Sequence, residues 1–98
     1  MLVKILKSQR YVVAICDTEL LGKKFEEGKL QIDVKENFFN GEEMNEDEVI
    51  NVIIKMARED ATFNIVGEKS IKTAVKIGLI DEDEVKRVQC VPFILVLM

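Results

Sequence analysis

The stretch from 45 to 58, Asn45-Glu46-Asp47-Glu48-Val49-Ile50-Asn51-Val52-Ile53-Ile54-Lys55-Met56-Ala57-Arg58, decides how the rest of the chain is read. Val49, Ile50, Ile53, Met56 and Ala57 recur at helical spacing on one side, while Asn51, Lys55, Arg58 and Glu59 fall largely elsewhere. Asn45 stands three residues before Glu48, the spacing of a capping box with Asn in place of Ser or Thr. Glu46 and Asp47 add negative charge at the positive end of the helix dipole. Val52 and Ile54 widen the apolar arc, so the helix is expected to be covered on more than one side.

Upstream of this helix the period is two. Residues 2–7 and 11–16 are rich in Val, Ile and Leu and are joined by Ser8-Gln9-Arg10, the pattern of a hairpin. In the second run Tyr11, Val13 and Ile15 alternate with Val12, Ala14 and Cys16, so both faces are apolar and the strand is expected away from the sheet edge. Asp17 to Gly22 suits one helical turn or a compact loop. Leu30, Ile32 and Val34 then alternate with Gln31, Asp33 and Lys35, a strand with one wet face. Between Glu36 and Glu48 lie six acidic residues and no basic one, around Phe38-Phe39-Asn40-Gly41. Asn-Gly marks a tight turn, and the two Phe are expected to tuck into the core.

Downstream, residues 61–66 are expected to extend the helix or to form a bend. Gly67-Glu68 opens a second helix that carries Ile71, Ala74 and Val75 inward, with Gly78 as its stop. Asp81-Glu82-Asp83-Glu84 makes one more short turn, and strand character returns from Val85 to Met98, with Pro92 at a strand start or bulge. Glu-Asp-Glu-Val occurs at 46–49 and again at 82–85, but the flanking residues do not match, so this is shared helix-start chemistry and not a repeat.

Strands before helices, with an apolar terminal strand returning, define an α+β single domain over residues 1–98. The expected architecture is a mixed sheet of about four to five strands with two main helices packed on one face. Phe93 to Met98 would run near the middle of the sheet. Left at an edge, that strand would pair with a second molecule and make a structural homodimer.

Composition narrows the function classes. The chain has 98 residues, with 14 Lys plus Arg against 18 Asp plus Glu for a net charge of −4, and 48% are hydrophobic. This supports one folded core and argues against disorder. The longest apolar run, Phe93 to Met98, falls far short of the ~20 residues a spanning helix needs. The first residues carry Lys4 and Lys7 and no small-residue cleavage site, so a cytoplasmic protein without membrane contact is expected. Cys16 and Cys90 cannot make a four-ligand zinc site between them, and no metal or cofactor is expected. Both are expected as buried thiols on strands, a disulfide being the alternative. The absence of His removes the commonest general base and every Ser-His or Cys-His nucleophile.

Leu20-Leu21-Gly22-Lys23, the Phe38-Phe39-Asn40-Gly41-Glu42 turn, Asn64-Ile65-Val66-Gly67-Glu68 and the terminal Val91-Pro92 occur here in an order and spacing that resembles an archaeal family of small proteins, domain-of-unknown-function family 424. The resemblance covers essentially the whole chain. It implies an archaeal, cytoplasmic, housekeeping protein with a link to translation, and it brings no established activity. Where the family usually has Tyr in the turn this chain has Phe39, and where a His can follow the Pro it has Phe93. Roles that need those polar groups therefore do not carry over.

Three groups of residues are candidate sites. Lys69, Lys72 and Lys76 line one face of the second helix, and Lys86 and Arg87 would add to it, which reads as a basic surface for a phosphate-bearing partner such as RNA or as a solvated helix face. No aromatic residue is interleaved there for base stacking, and the overall acidity gives no reason to expect DNA. Asn64, Gly67 and Glu68 form the second group: Asn64 as a cap of the second helix, with free amides near its start as an anion or ligand site. The spacing of a phosphate loop is missing. The acidic run 42–48 lacks the alternating ligands of a calcium loop and reads as a capped helix start. The resulting expectation is a non-catalytic binding module that docks on a protein or ribonucleoprotein partner through the helical face. Its rivals are a small carboxylate and Lys enzyme around Asn64, Gly67 and Glu68, and the homodimer through the last strand.

Overall fold

The computed structural model describes residues 1–97. Strands β1 (Leu2–Lys7) and β2 (Tyr11–Cys16) form the expected antiparallel hairpin, with Leu2 opposite Cys16 and Lys7 opposite Tyr11. A 3-10 turn at Thr18–Leu20 leads to a second hairpin of β3 (Lys24–Glu27) and β4 (Leu30–Asp33). There follow the single-turn helix α1 (Glu36–Phe39), β5 (Glu42–Glu43), helix α2 (Glu46–Arg58) and β6 (Thr62–Val66). Helix α3 (Glu68–Lys76), a 3-10 turn at Glu82–Glu84, β7 (Lys86–Val88) and β8 (Val91–Val96) complete the fold.

Six strands make one mixed sheet in the order β5-β1-β2-β6-β8-β7, and β3 and β4 make a separate two-stranded sheet. The fold is the expected α+β domain, with six strands in the main sheet where four to five were expected. Segment 61–66 accounts for the most important difference, because it neither extends α2 nor bends. Asp60 takes a left-handed φ of 55° and the Ala61 amide closes onto the Met56 carbonyl, which ends the helix. The chain then runs extended between β2, to which it is parallel, and β8, to which it is antiparallel. Ladder partners on both sides and a period of two, with Phe63 and Ile65 fully buried, outweigh any tendency to continue the helix.

The sheet is covered on both faces. Val3, Val13, Ile15, Phe63 and Ile65 pack against Val49, Ile53 and Met56 of α2 and Ile71 and Ala74 of α3. On the other face Leu2, Ala14, Cys16 and Val66 meet Ile32, Val34 and Phe39. That is why β2 is apolar on both sides. The cover of α2 is narrower than its sequence implied, for Ile54 is 45% exposed. Asn45 does close its capping box, donating from its amide to Glu48 and accepting the Glu48 amide at 2.9 Å.

Phe38 and Phe39 sit in α1, a turn of helix, and stack edge to face with ring centroids 5.1 Å apart. Phe39 is buried and Phe38 half-buried. Gly41 follows because the chain passes so close to Val3 that a Cβ there would overlap the Val3 carbonyl.

The cysteines depart from expectation at one position. Cys16 is buried on β2, whereas Cys90 is exposed in the two-residue connection between β7 and β8, and both are free thiols. Gln89 and Cys90 both adopt left-handed φ, 50° and 66°, as a two-residue hairpin turn with the twist of its flanking strands requires.

Strand β8 lies between β6 and β7 as far as Phe93, opposite Lys86; beyond it only β6 pairs, through Ile94, Leu95 and Val96. Met98, the last residue of the expected strand, lies outside the described residues. Among the described residues no helix is long and apolar enough to cross a membrane.

Candidate functional site

The β6-α3 junction positions the lysine-bearing face of α3. Cys16 stands opposite Val66 in the parallel β2-β6 pair, so the next residues, Asp17 and Gly67, meet at the end of the ladder. The Asp17 amide donates to the Val66 carbonyl, and the buried Asp17 carboxylate turns onto the start of α3. It accepts from the Lys69 amide at 3.1 Å, the Ser70 amide at 2.9 Å and the Ser70 hydroxyl at 2.8 Å. Gly67 has φ 110°, and a Cβ there would overlap this carboxylate. The cap of α3 is thus Asp17, 52 residues from Lys69 in sequence, and not Asn64.

Asn64 lies in the middle of β6, opposite Ala14 and Leu95. Its neighbours Phe63 and Ile65 face the helices, so Asn64 projects to the other face, where with Phe38 and Phe93 it lines a hollow of about 310 Å³. Glu68 is on the helical side, in an ion pair with Arg87 at 2.6 Å. The three residues grouped by sequence are therefore split between the two faces of the sheet. The negative group on the first amides of α3 belongs to the protein itself.

The five basic residues are divided as well. Lys69, Lys72 and Lys76 are exposed along α3, whose buried side carries Ser70, Ile71, Thr73 and Ala74. Arg87 reaches the same side of the sheet, while its neighbour Lys86 points to the opposite face and lines a separate hollow with Glu84 and Leu95. Lys76 is paired with Glu46 at 2.7 Å, and that hydrogen bond raises its pKa. The Glu68 hydrogen bond likewise raises that of Arg87. Among the described residues Lys69 and Lys72 have no ion-pair partner.

Two grooves flank this lysine ridge. One, of about 560 Å³, runs between the N-terminal end of α2 and α3, with Met1, Met44 and Thr73 below and Lys69, Lys72 and Lys76 along the rim. The other, of about 390 Å³, lies between α3 and the 82–87 segment and is lined by Ile71, Val75 and Val85 beside Lys72 and Arg87. At the head of the first groove the Met1 ammonium donates to Glu43 at 2.7 Å and to the Met44 carbonyl at 3.1 Å. That ammonium, and then the Thr18 hydroxyl, hold the Glu43 carboxyl below its ordinary pKa. On the buried side of the junction, desolvation and then the Asp17 charge push the Cys16 thiol up to about 11, so it is protonated and inert at neutral pH. Among the described residues no group of His, Cys, Asp and Glu is arranged to hold a metal ion.

Sequence reasoning found the ridge and missed Asp17 and the two methionines. Asp17 does stand at the start of the expected turn, Thr18–Leu20, but its side chain makes no cap bond there; the parallel pairing of β2 with β6 delivers it to α3. Met44 carries no polar signal, and its place beside α3 depends on the β1-β5 pairing.

This is a two-faced α+β fold with a lysine ridge between two grooves. The chain belongs to the family described as protein of unknown function (DUF424), whose model matches residues 7–98. It is similar in structure to an uncharacterized conserved protein from Methanopyrus kandleri, solved by crystallography, at a TM-score of 0.84 and 27% identity over 98% of this chain and 90% of that one. No curated protein matches the chain.

Proposed function

We propose that this protein is a non-catalytic binding module that docks on a protein or ribonucleoprotein partner, such as one of the translation apparatus, through the exposed face of α3. The observation that carries this reading is the pair Lys69 and Lys72. They are cations without an ion-pair partner, set between two grooves with apolar floors, in a molecule whose other α3-side cations are neutralised by Glu46 and Glu68. A ridge of this kind supplies charge for encounter and apolar surface for retention. The test is capture from extracts of the host with tagged wild-type protein and with the Lys69→Glu, Lys72→Glu double variant, each with and without nuclease. Partners retained by wild type and lost by the variant support the ridge, and their loss on nuclease treatment identifies a ribonucleoprotein. Identical capture by both proteins refutes it.

A second reading, a homodimer through β8, is favoured by one observation. Among the described residues no strand pairs with Ile94 to Val96 on the side that β7 leaves, and Leu95 is 55% exposed. Antiparallel pairing of two such edges would join two sheets. Light scattering over a range of concentrations checks it: a monomer mass at every concentration removes this reading.

A further inference from the structure

We infer that the groove between the start of α2 and α3 receives an acidic peptide segment carrying one apolar side chain. This inference rests on the α3 docking reading above and names the chemistry of the partner at that site.

The floor of the groove decides the first half of the argument. Met1 and Met44 are partly buried and pack against the helix-side core, and the Thr73 hydroxyl is spent on the Lys69 carbonyl at 2.9 Å and the Met1 sulfur at 3.7 Å. What remains exposed below the rim is thioether and methylene surface, which adapts its shape to an inserted apolar group. A groove of about 560 Å³ has room for such a side chain and the backbone on either side of it.

The rim decides the second half. Glu46, the carboxylate in the lining, is held by Lys76, and Glu43 at the head of the groove by the Met1 ammonium. Lys69 and Lys72 are left over, one helical turn apart on the same face. Two ammonium groups at that spacing complement two carboxylates flanking an apolar residue. The same features count against a nucleic-acid strand. The lining holds no aromatic ring on which a base could stack.

The probe is an N-acetylated, C-amidated pentapeptide of sequence DELED, titrated into the isotopically labelled full chain and followed by amide chemical shifts. Saturable shifts confined to Met44, Asn45, Lys69, Lys72 and Thr73 are expected. Replacing Leu by Ser in the peptide is expected to weaken binding by about tenfold, the worth of one buried apolar side chain. Lys69→Glu with Lys72→Glu is expected to weaken it by about tenfold or more, with an unchanged spectrum elsewhere reporting an intact fold. The peptide comparison leaves the protein untouched, so it decides the matter even where a groove variant fails to fold. Shifts scattered over the surface, equal affinity for the Ser peptide, or tighter binding of a uridine hexamer with the same shifts would each overturn the inference. If the peptide fails while charge reversal still abolishes capture of partners, the ridge stands and only the acidic-segment inference falls. If charge reversal leaves capture unchanged, the docking reading falls with it.

Discussion

Replacing Asp17 by Ala should destabilise the protein by about 3 kcal/mol, and the figure follows from what its carboxylate touches. It caps α3 through the Lys69 and Ser70 amides, and loss of such a cap costs ~1 kcal/mol. It is also the acceptor for the Ser70 hydroxyl, which is 1% exposed. A buried donor left without a partner costs ~1–3 kcal/mol more. Against a total stability of ~5–15 kcal/mol this is a large fraction, equivalent to a fall of about 1–3 M in the urea midpoint. Equilibrium urea unfolding, followed by circular dichroism with the slope checked for constancy, measures it. Asp17→Asn keeps one side-chain oxygen and should lose only ~1 kcal/mol. A double-mutant cycle with Ser70→Ala isolates the hydroxyl: removing donor and acceptor together should cost ~1–2 kcal/mol less than the sum of the single changes. An Asp17→Ala protein within ~0.5 kcal/mol of wild type, or an additive cycle, would refute the assignment of Asp17 as the anchor of α3.

Gly67→Ala should cost about 3 kcal/mol or more, since its Cβ meets the Asp17 carboxylate at a φ of 110° that L-residues avoid, and a thermal melt will show it. Cys90→Gly should stabilise by ~1 kcal/mol and raise Tm by about 4–8 °C, because glycine adopts the left-handed turn without strain and the hydrogen bond from the Arg87 guanidinium to the carbonyl of residue 90 is retained. With Ellman's reagent at pH 8, Cys90 should react at once and Cys16 only on unfolding. The Cys16 pKa is higher in the folded state than its ordinary 9.0, so its contribution to stability is complete below about pH 9 and is lost as pH rises towards about 11. Urea midpoints measured across that window should fall in wild type and fall less steeply in Cys16→Ala.

The parts of the fold that are legible in the sequence are those set by neighbours along the chain. The β1-β2 hairpin follows from two short apolar runs and their spacing, the α2 start from Asn45 and Glu48, and the α3 stop from Gly78, whose φ is 76°. The parts that are not legible depend on partners far away. Residues 62–66 form only five residues of strand directly after a long helix, and Thr62, Phe63, Ile65 and Val66 were the signal for a strand. Asn64 interrupts that apolar run and drew attention as a helix cap, when its actual place is a half-buried position on the far face of the sheet. The alternation of Lys86 and Arg87 across β7 had the same effect on the site: adjacent charges in sequence point away from one another once the strand is known. The lysine ridge survives because Lys69, Lys72 and Lys76 share one helix and need no tertiary contact to align them.

The parallel pairing of β2 with β6 has a consequence for how the protein is made. β2 is synthesised early and pairs with β1 on one side only; its other edge, with the buried positions Ala14, Ile15 and Cys16, waits for residues translated after the whole of α2. At ~5–20 residues per second that wait lasts several seconds, during which an apolar strand edge is open to water on the ribosome. Completion arrives with Thr62–Val66, and the next few residues bring the Lys69 and Ser70 amides to Asp17. Nascent chains stalled so that Val66, or Lys76, has just cleared the ribosomal tunnel should therefore differ sharply in resistance to protease, the second being the first length at which the N-terminal hairpin is both held by β6 and locked at its end by the cap of α3.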